Sequence, residues 1–350
     1  PYFNAISESS DLTFSPRFYD NGKAIYQGEY RNLKKKSKHT IDLSVKSKDI
    51  LDLNKDNNYK SSHFFSKSDF YFDLYSFEQS EVKIKIQRTS DDDYLKTYKL
   101  KSPLIESVNV LHSNINFNAS RDDLEVEILT EVYENLSLQK SDRYEYVYPS
   151  FSILKDINEF ESGNLTLLSN GLNKKYDTNV SKQTLVNDLT YKSFNKISML
   201  GLVSNYEVLL KNFNGKTKKT IGLEDKTENS IQSIINYQIK YPLQRIKGNF
   251  LSRLTPILST RYSPNQSRNN STSDSSINYD NIFSINRLGF SDTVEGGQSI
   301  TIGSEYELYN SKNNEKKLFS ANLATVIRDA QNNRLPVKST IDKKNSDIFG

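Results

Sequence analysis

Apolar and polar residues alternate at every second position through much of this 350-residue chain. Val82, Ile84 and Ile86, for example, alternate with Lys83 and Lys85. Successive side chains of a β-strand point to opposite faces, so this period predicts strands with one apolar and one polar face. The predicted strands span residues 12–18, 24–31, 41–46, 69–74, 82–87, 124–128, 165–168, 184–191, 202–210, 231–241, 254–262, 299–309 and 318–328.

The segments between these strands are polar and rich in Asn, Ser, Lys and Asp. Asp20-Asn21-Gly22 is a typical signal for a tight hairpin turn. Two segments, 156–161 and 321–332, are candidates for short helices, although each also lies where a strand ends. Long polar loops are predicted at 54–62, 211–229 and 263–278.

Each predicted strand has a single, thin apolar face, which favours a sheet covered by lipid over a soluble sheet. Only 35% of the residues are hydrophobic, and no run approaches the 18 apolar residues of a transmembrane helix. A membrane strand needs only about 10 residues with every second one apolar. At roughly one strand per 20 to 25 residues, we expect 14 to 16 strands of a larger, up-and-down antiparallel transmembrane β-barrel. A soluble β-sandwich, as in a secreted adhesin or binding module, would instead pack its apolar faces together.

Charge and composition argue against several other classes. The net charge is +4 with both signs mixed along the chain, which is not typical of a nucleic-acid-binding protein. There is no cysteine, and the three histidines, His39, His63 and His112, have no suitably spaced partners for catalysis or metal binding. An outer-membrane phospholipase would need a Ser–His pair across strands, and nothing in the sequence supports one. We therefore predict no enzyme and no cofactor.

The most specific motif lies in residues 279–308, called here the signature segment. It contains Asn286-Arg287, then Asp292, then Glu295-Gly296-Gly297, followed by an alternating strand. This order closely resembles the signature of the lipopolysaccharide-assembly outer-membrane protein family, LptD, also called organic solvent tolerance protein.

Two further blocks carry the same resemblance. Residues 1–33 resemble the first barrel strands of the family, including two prolines fifteen residues apart, Pro1 and Pro16. Residues 88–98 are similar to a loop of alphaproteobacterial members.

The resemblance implies a function in which no covalent bond is made or broken. Members move lipopolysaccharide into the outer leaflet of the outer membrane through a laterally gated barrel. The expected partners are lipopolysaccharide, outer-membrane lipid, an LptE-like plug lipoprotein and the periplasmic Lpt bridge. All of residues 1–350 are expected to belong to the barrel domain, with the periplasmic jellyroll domain that contacts the bridge, and the last strands, absent from this chain.

Pro1 and Pro16 are the candidate lateral gate. Proline has no N–H and removes a ladder hydrogen bond, so it weakens a strand seam. A plain structural role, as a strand-start proline and an edge bulge, is the alternative.

Asn286, Arg287, Asp292, Glu295, Gly296 and Gly297 are expected to form a structural loop-to-strand unit. In it, Arg287 is predicted to pair with Asp292 or Glu295 on the lumen side and to pin the loop; direct substrate contact is the alternative. A different outer-membrane porin or receptor would share the strand pattern without the two prolines or this motif.

Overall fold

The computed structural model of the chain describes residues 1–19, 23–47, 61–177, 179–271, 277–310, 316–335 and 340–350. Within these residues the backbone forms twenty β-strands and one short helix. The strands are β1 Tyr2–Ser7, β2 Ser10–Phe18, β3 Ala24–Lys34, β4 Ser37–Lys46, β5 Ser62–Phe72, β6 Gln79–Thr89, β7 Val110–Arg121, β8 Leu124–Asn135, β9 Tyr144–Phe160, β10 Gly163–Tyr176, β11 Val180–Ser193, β12 Lys196–Ile197, β13 Val203–Lys218, β14 Lys226–Lys240, β15 Leu243–Lys247, β16 Phe250–Ser263, β17 Arg268–Asn269, β18 Thr293–Val294, β19 Gly297–Asn310 and β20 Lys316–Arg328; the helix is α1 Tyr94–Thr97.

The predicted all-β, antiparallel class is confirmed. Eighteen of the strands belong to one hydrogen-bonded sheet, and β17 and β18 form a separate pair. The number exceeds the expected 14 to 16, which assumed roughly 20 to 25 residues per strand, because short strands such as β12 and β15 are also present. The predicted turn at residues 20–22 lies outside the described residues, as does most of the predicted loop at 54–62.

Three local predictions are wrong. Residues 156–160 belong to β9, and the first part of 321–332 belongs to β20, so neither segment forms a helix. The stretch 211–229 is mostly strand, because β13 continues to Lys218 and β14 begins at Lys226. In each case pairing with a neighbouring strand outweighs the weak local preference of a polar sequence.

The chain divides into two compact units. Unit 1 comprises residues 1–153 and 171–183, and unit 2 comprises residues 154–170 and 184–350. In unit 1 the strands from β1 to β8 pair in chain order as antiparallel hairpins. In unit 2, β13 pairs with β14, β14 and β15 pair with successive parts of β16, and β16, β19 and β20 follow as neighbours.

Several strand positions of unit 1 bury polar side chains while their apolar neighbours are exposed. On β4, Asp42 and Ser44 are buried, whereas Leu43 between them is 48% exposed. On β6, Gln87 is buried and its neighbour Ile86 is exposed. The two faces of these strands thus have the opposite polarity from those of a soluble sheet, in which the apolar face is the covered one.

Unit 2 shows the same inversion. Arg261 on β16 and Arg328 on β20 are buried, whereas Tyr262 and Ile327 beside them are exposed. On β19, Ile300 on the exposed face is 43% accessible. A soluble sandwich would cover these apolar faces, so the burial within each unit argues against that alternative. None of the described helices is long and apolar enough to cross a membrane.

Candidate functional site: the signature loop and the β1–β2 edge

The loop part of the signature segment, residues 279–296 and called here the signature loop, lies over the polar face of unit 2. Lys211 Nζ on β13 donates to the backbone oxygen of Ser291 at 2.8 Å. The Tyr279 hydroxyl donates to Glu305 Oε1 on β19 at 3.1 Å. These strand side chains hold the loop at both ends, which explains how charged groups on this face become buried.

Glu295 is the centre of the site. Arg287 Nε donates to Glu295 Oε2 at 2.7 Å, and Arg287 Nη2 bonds to Oε1. Arg328 Nη1 also bonds to Oε1, and Arg261 Nη1 lies 3.9 Å from Oε2. All four side chains are at least 95% buried. One carboxylate is therefore shared by three guanidinium groups, an arrangement called here the arginine cluster.

Backbone and hydroxyl oxygens accept hydrogen bonds from the guanidinium N–H groups that Glu295 does not bind. Arg261 donates from Nε to the Ile285 oxygen at 3.1 Å and from Nη1 to the Glu295 backbone oxygen at 2.7 Å. Arg328 Nη2 donates to the Gly296 oxygen at 2.6 Å. Arg287 adds the hydroxyls of Thr301 at 3.0 Å and Ser299 at 2.9 Å on β19. Most of the buried donors are thus satisfied, as a buried ionic group requires.

The cluster keeps Glu295 ionised. Burial by itself raises the pKa of a carboxyl group, but Arg287, Arg261 and Arg328 outweigh that effect and lower the pKa of Glu295 from 4.5 to about 2. Glu295 consequently carries its negative charge at neutral pH and pairs with the arginines around it.

Two glycines allow the loop to turn into β19. The amide of Gly296 donates to Ser267 Oγ at 2.8 Å, and a Cβ on Gly296 would collide with the Asn265 backbone oxygen. Gly297 has a φ of +83°, in the left-handed region that favours glycine. Both glycines are therefore required by the backbone path at this corner.

The other signature residues shape the loop itself. Asn286 Nδ2 donates to the Phe290 oxygen at 3.2 Å, and the Gly289 amide donates to the Asn286 oxygen at 3.1 Å. The Asp292 backbone oxygen accepts from the Asn270 amide at 3.3 Å. Of the two acidic partners open to Arg287 in the sequence, the structure places Glu295 against it.

Sequence reasoning missed Arg261 and Arg328. Arg261 lies one residue before Tyr262 on a strand that the sequence did predict, and its register partner is Ser299. Arg328 pairs with the same residue from the other side. Alternation identifies the face of each arginine, but only the strand register brings both of them to Glu295.

Pro1 and Pro16 lie at one end of the β1–β2 hairpin. The register between the two strands ends at Tyr2 and Phe14, so residues 15–18 of β2 continue beyond it. Pro16 pairs with Tyr26 of β3 on its other side. The proline that lacks an N–H therefore lies where β2 extends past β1.

A second covered polar face lies in unit 1, under residues 90–109. His63 Nδ1 is 2.7 Å from Ser44 Oγ, and His63 Nε2 is 3.2 Å from Asp42 Oδ1. Ser44 Oγ is in turn 2.8 Å from the hydroxyl of Tyr94 on α1. Gln27 Nε2 donates to the carboxylate of Asp42 at 3.1 Å and to the Lys101 backbone oxygen at 2.9 Å.

This network has the groups of a Ser–His–Asp triad without access for a substrate. Asp42 and His63 have fully buried side chains, and Ser44 is 2% exposed. Spacing along the chain does not reveal the partners of His63, because Asp42 and Ser44 lie on the neighbouring strand. The register His63↔Ser44 brings them together, and the network fastens the covering segment to the sheet.

A polar cavity lies between the signature loop and the strands of unit 2. Its volume is about 520 Å³. Carboxylates, amides, lysines and aromatic rings line it together, a combination that suits hydrogen bonding to polyhydroxylated molecules. The lining includes Lys192, Asn205, Glu207, Gln238, Tyr279 and Phe283.

Comparison with known proteins decides the family. The model of the family LptD, described as LPS transport system D, matches residues 57–350. The chain belongs to this family. Its function is thus lipopolysaccharide transport and assembly in the outer membrane, and it is not an enzyme. A search of curated proteins finds no match.

The match includes the whole signature segment and the residue 88–98 block but not the first 56 residues. The family is one of β-barrels, which agrees with the antiparallel sheet and with the exposed apolar faces. Pro1 and Pro16 lie outside the matched residues, so their role depends on the geometry of the β1–β2 hairpin.

Proposed function

We propose that this chain releases lipopolysaccharide sideways through a weak seam beside the β1–β2 hairpin, with Pro1 and Pro16 as the gate. All of residues 1–350 belong, in this proposal, to the membrane barrel domain. The observation that carries the proposal is the inverted burial of the strands. Exposed apolar faces need lipid to cover them, and buried polar faces suit the passage of a polar headgroup.

The gate follows from the cost of breaking a sheet in lipid. Each unpaired backbone group in hydrocarbon costs several kcal/mol, so a closed sheet opens only where few hydrogen bonds must be broken. β1 pairs with β2 through only five register pairs, and its six residues are all exposed. Pro16 provides no donor on the part of β2 that extends past β1. This hairpin is the weakly held part of unit 1.

In this proposal the signature residues are structural. Arg287 and Glu295 pin the signature loop to β19, and Gly296 and Gly297 permit the turn into that strand. The polar cavity beside the loop remains open to the saccharide part of the glycolipid. Its mixture of carboxylates, amides and aromatic rings supports this assignment.

Two protein partners complete the proposal. An LptE-like lipoprotein occupies the interior as a plug, and a periplasmic Lpt bridge delivers lipopolysaccharide through an N-terminal jellyroll domain. The family membership supports both partners, and the large number of polar side chains on the covered strand faces suits contact with a protein plug.

The gate is tested by replacing Pro1 and Pro16 together with alanine in the full-length parent protein. Arrival of lipopolysaccharide at the cell surface is measured beside barrel abundance in the outer-membrane fraction. We expect surface lipopolysaccharide to fall while abundance stays normal, because alanine restores two backbone donors to the seam. Normal delivery would contradict the gate and leave both prolines with only a structural role at the strand edge.

Pro256→Ala is the matched control. Pro256 lies inside β16 and pairs with Ser304 of β19, far along the chain from the first hairpin. Pro256→Ala likewise restores a backbone donor within a strand, and we expect this variant to leave delivery unchanged. Equal losses in both variants would point to a general effect on barrel assembly.

A further inference from the structure

One end of unit 2 exposes apolar and basic side chains together. Residues 194–201 form the turn between β11 and β13, and residues 241–250 contain β15; every residue in both stretches is exposed. The two stretches are called here the β12–β15 patch. Ile197 is 74% exposed, Leu200 76%, and Met199 is fully exposed. Apolar tips of this kind are unusual on strand turns facing water.

The two stretches form one continuous surface. Val203, the first residue of β13, pairs with Lys240, so β15 lies beyond the end of β13. Beyond the end of β13, the turn 194–201 lies beside the start of this extension, since a Cβ on Gly201 would lie 3.8 Å from the Tyr241 ring. β15 pairs with the first residues of β16, which places Ile246 and Phe250 beside the turn that joins these two strands.

The charge of the patch has one sign. Lys196, Arg245 and Lys247 lie within the two stretches, which contain no Asp or Glu. Acidic residues on the adjacent strands already have partners: Glu207 with Lys192 at 2.9 Å, and Glu307 with Lys317. The three cations of the patch thus face solvent beside exposed aliphatic and aromatic groups.

We infer that the β12–β15 patch is a contact surface for anionic lipid headgroups at the membrane interface. This inference rests on the membrane placement in the proposed function. Apolar side chains that enter the acyl boundary, next to lysine and arginine at headgroup level, are the combination by which protein segments bind acidic bilayers. Ile197, Met199, Leu200 and Ile246 provide the apolar part, and Arg245 and Lys247 the charged part.

A tryptophan reporter tests the inference directly, because this chain has no Trp. The full chain carrying Ile246→Trp is placed in nanodiscs of phosphatidylcholine and phosphatidylglycerol, with bromine on the acyl chains of one lipid at a time. We expect brominated phosphatidylglycerol to quench the fluorescence more strongly than its share of the lipid predicts. Arg245→Gln with Lys247→Gln should lower this preference about fivefold for each charge removed.

A variant with the same charge change at a distance is the control. Lys216 and Lys218 lie at the opposite end of β13, about 43 and 50 Å from Val203 at the rise of a strand. This exceeds the screening length of about 10 Å. Lys216→Gln with Lys218→Gln should therefore leave the lipid preference at residue 246 unchanged. Equal effects of the two double variants would overturn a local headgroup contact.

The other outcomes are also decisive. Equal quenching by both lipids would show an apolar contact without charge recognition, and no quenching would assign the patch to water or to a protein partner; either result overturns the inference. Ile300→Trp, on the exposed apolar face of β19, separates this from the proposed function. If residue 300 is quenched and residue 246 is not, the membrane placement stands and only the patch assignment fails.

Discussion

The two units cover their polar faces in different ways. In unit 1, residues 90–109 are fastened by a hydrogen-bond network around His63, Ser44 and Tyr94, with one carboxylate, Asp42. Two separate ion pairs, Asp92 with Arg143 and Glu106 with Lys85, also hold this segment. In unit 2, the signature loop is fastened by three arginines on Glu295. An anchor spread over several separate bonds loses little when one member changes, whereas a buried ionic cluster depends on its counter-charge, here Glu295. The two anchors should therefore differ in their response to substitution and to pH.

Apolar packing supports both anchors to a similar extent. Leu95, Leu100 and Leu104 of the unit 1 segment pack with Phe65. Ile282 and Leu288 of the signature loop pack with Val326 and with residues near the C-terminal end. Since the apolar support is alike, the polar anchors are the part of the comparison that experiments can separate.

The largest effect is expected from Glu295→Gln. It leaves three buried guanidinium groups without a counter-charge, and breaking a buried ionic group in this way costs about 3–5 kcal/mol. Hydrogen exchange of the purified chain should show the signature loop opening, while residues 90–109 keep their protection. Glu305→Gln, which disturbs a single bond from Tyr279, is the control; an equal loss in both variants would contradict a special role for the cluster.

Acidification should act on unit 2 through the same carboxylate. The pKa of Glu295 is lowered to about 2 in the folded chain, so its contribution is present above pH 4.5 and is lost as the pH falls towards 2. The shift from 4.5 corresponds to about 3 kcal/mol. The difference in unfolding free energy between the wild type and Glu295→Gln should shrink across this range. A difference that is constant with pH would contradict the ionic account.

Gly296→Ala should strain the signature loop without changing any charge. The new methyl group would collide with the Asn265 oxygen and lie 2.7 Å from the Ser267 nitrogen, both of them backbone atoms. Overpacking of this kind costs about 1–3 kcal/mol, and backbone obstacles favour the upper part of the range. Gly28→Ala has nothing within 4 Å and is the matched control. Denaturant unfolding of the two variants should differ accordingly.

The smallest effect is expected from Asp42→Asn in unit 1. The new amide keeps one acceptor oxygen, and the buried Oε1 of Gln27, which has no partner among the described groups, can accept from its NH₂ group. The loss should be about 1 kcal/mol, typical of one hydrogen bond. Hydrogen exchange would show faster opening of residues 90–109 with the signature loop unchanged. A loss as large as that of Glu295→Gln would remove the contrast between the units.

The sequence was sufficient for most of the long strands and for one pair of the cluster. Alternation located strands such as β4, β16 and β19, and the motif joined Arg287 to an acidic partner nearby. Alternation failed for residues 156–160, where the polar sequence of β9 carries no clear period. It also says nothing about register, which is why Arg261, Arg328 and the partners of His63 were missed. Two side chains on different strands meet only after the pairing between those strands is fixed.

The arginine cluster also constrains the order in which this part of the chain acquires its structure. Its members come from β16, from the signature loop and from β20, so 67 positions separate the first arginine from the last, Arg261 and Arg328. Glu295 cannot gain all three partners until β19 has paired on both sides. Until then the loop lacks part of its ionic anchor, so the complete cluster marks the point at which three strands have found their correct register.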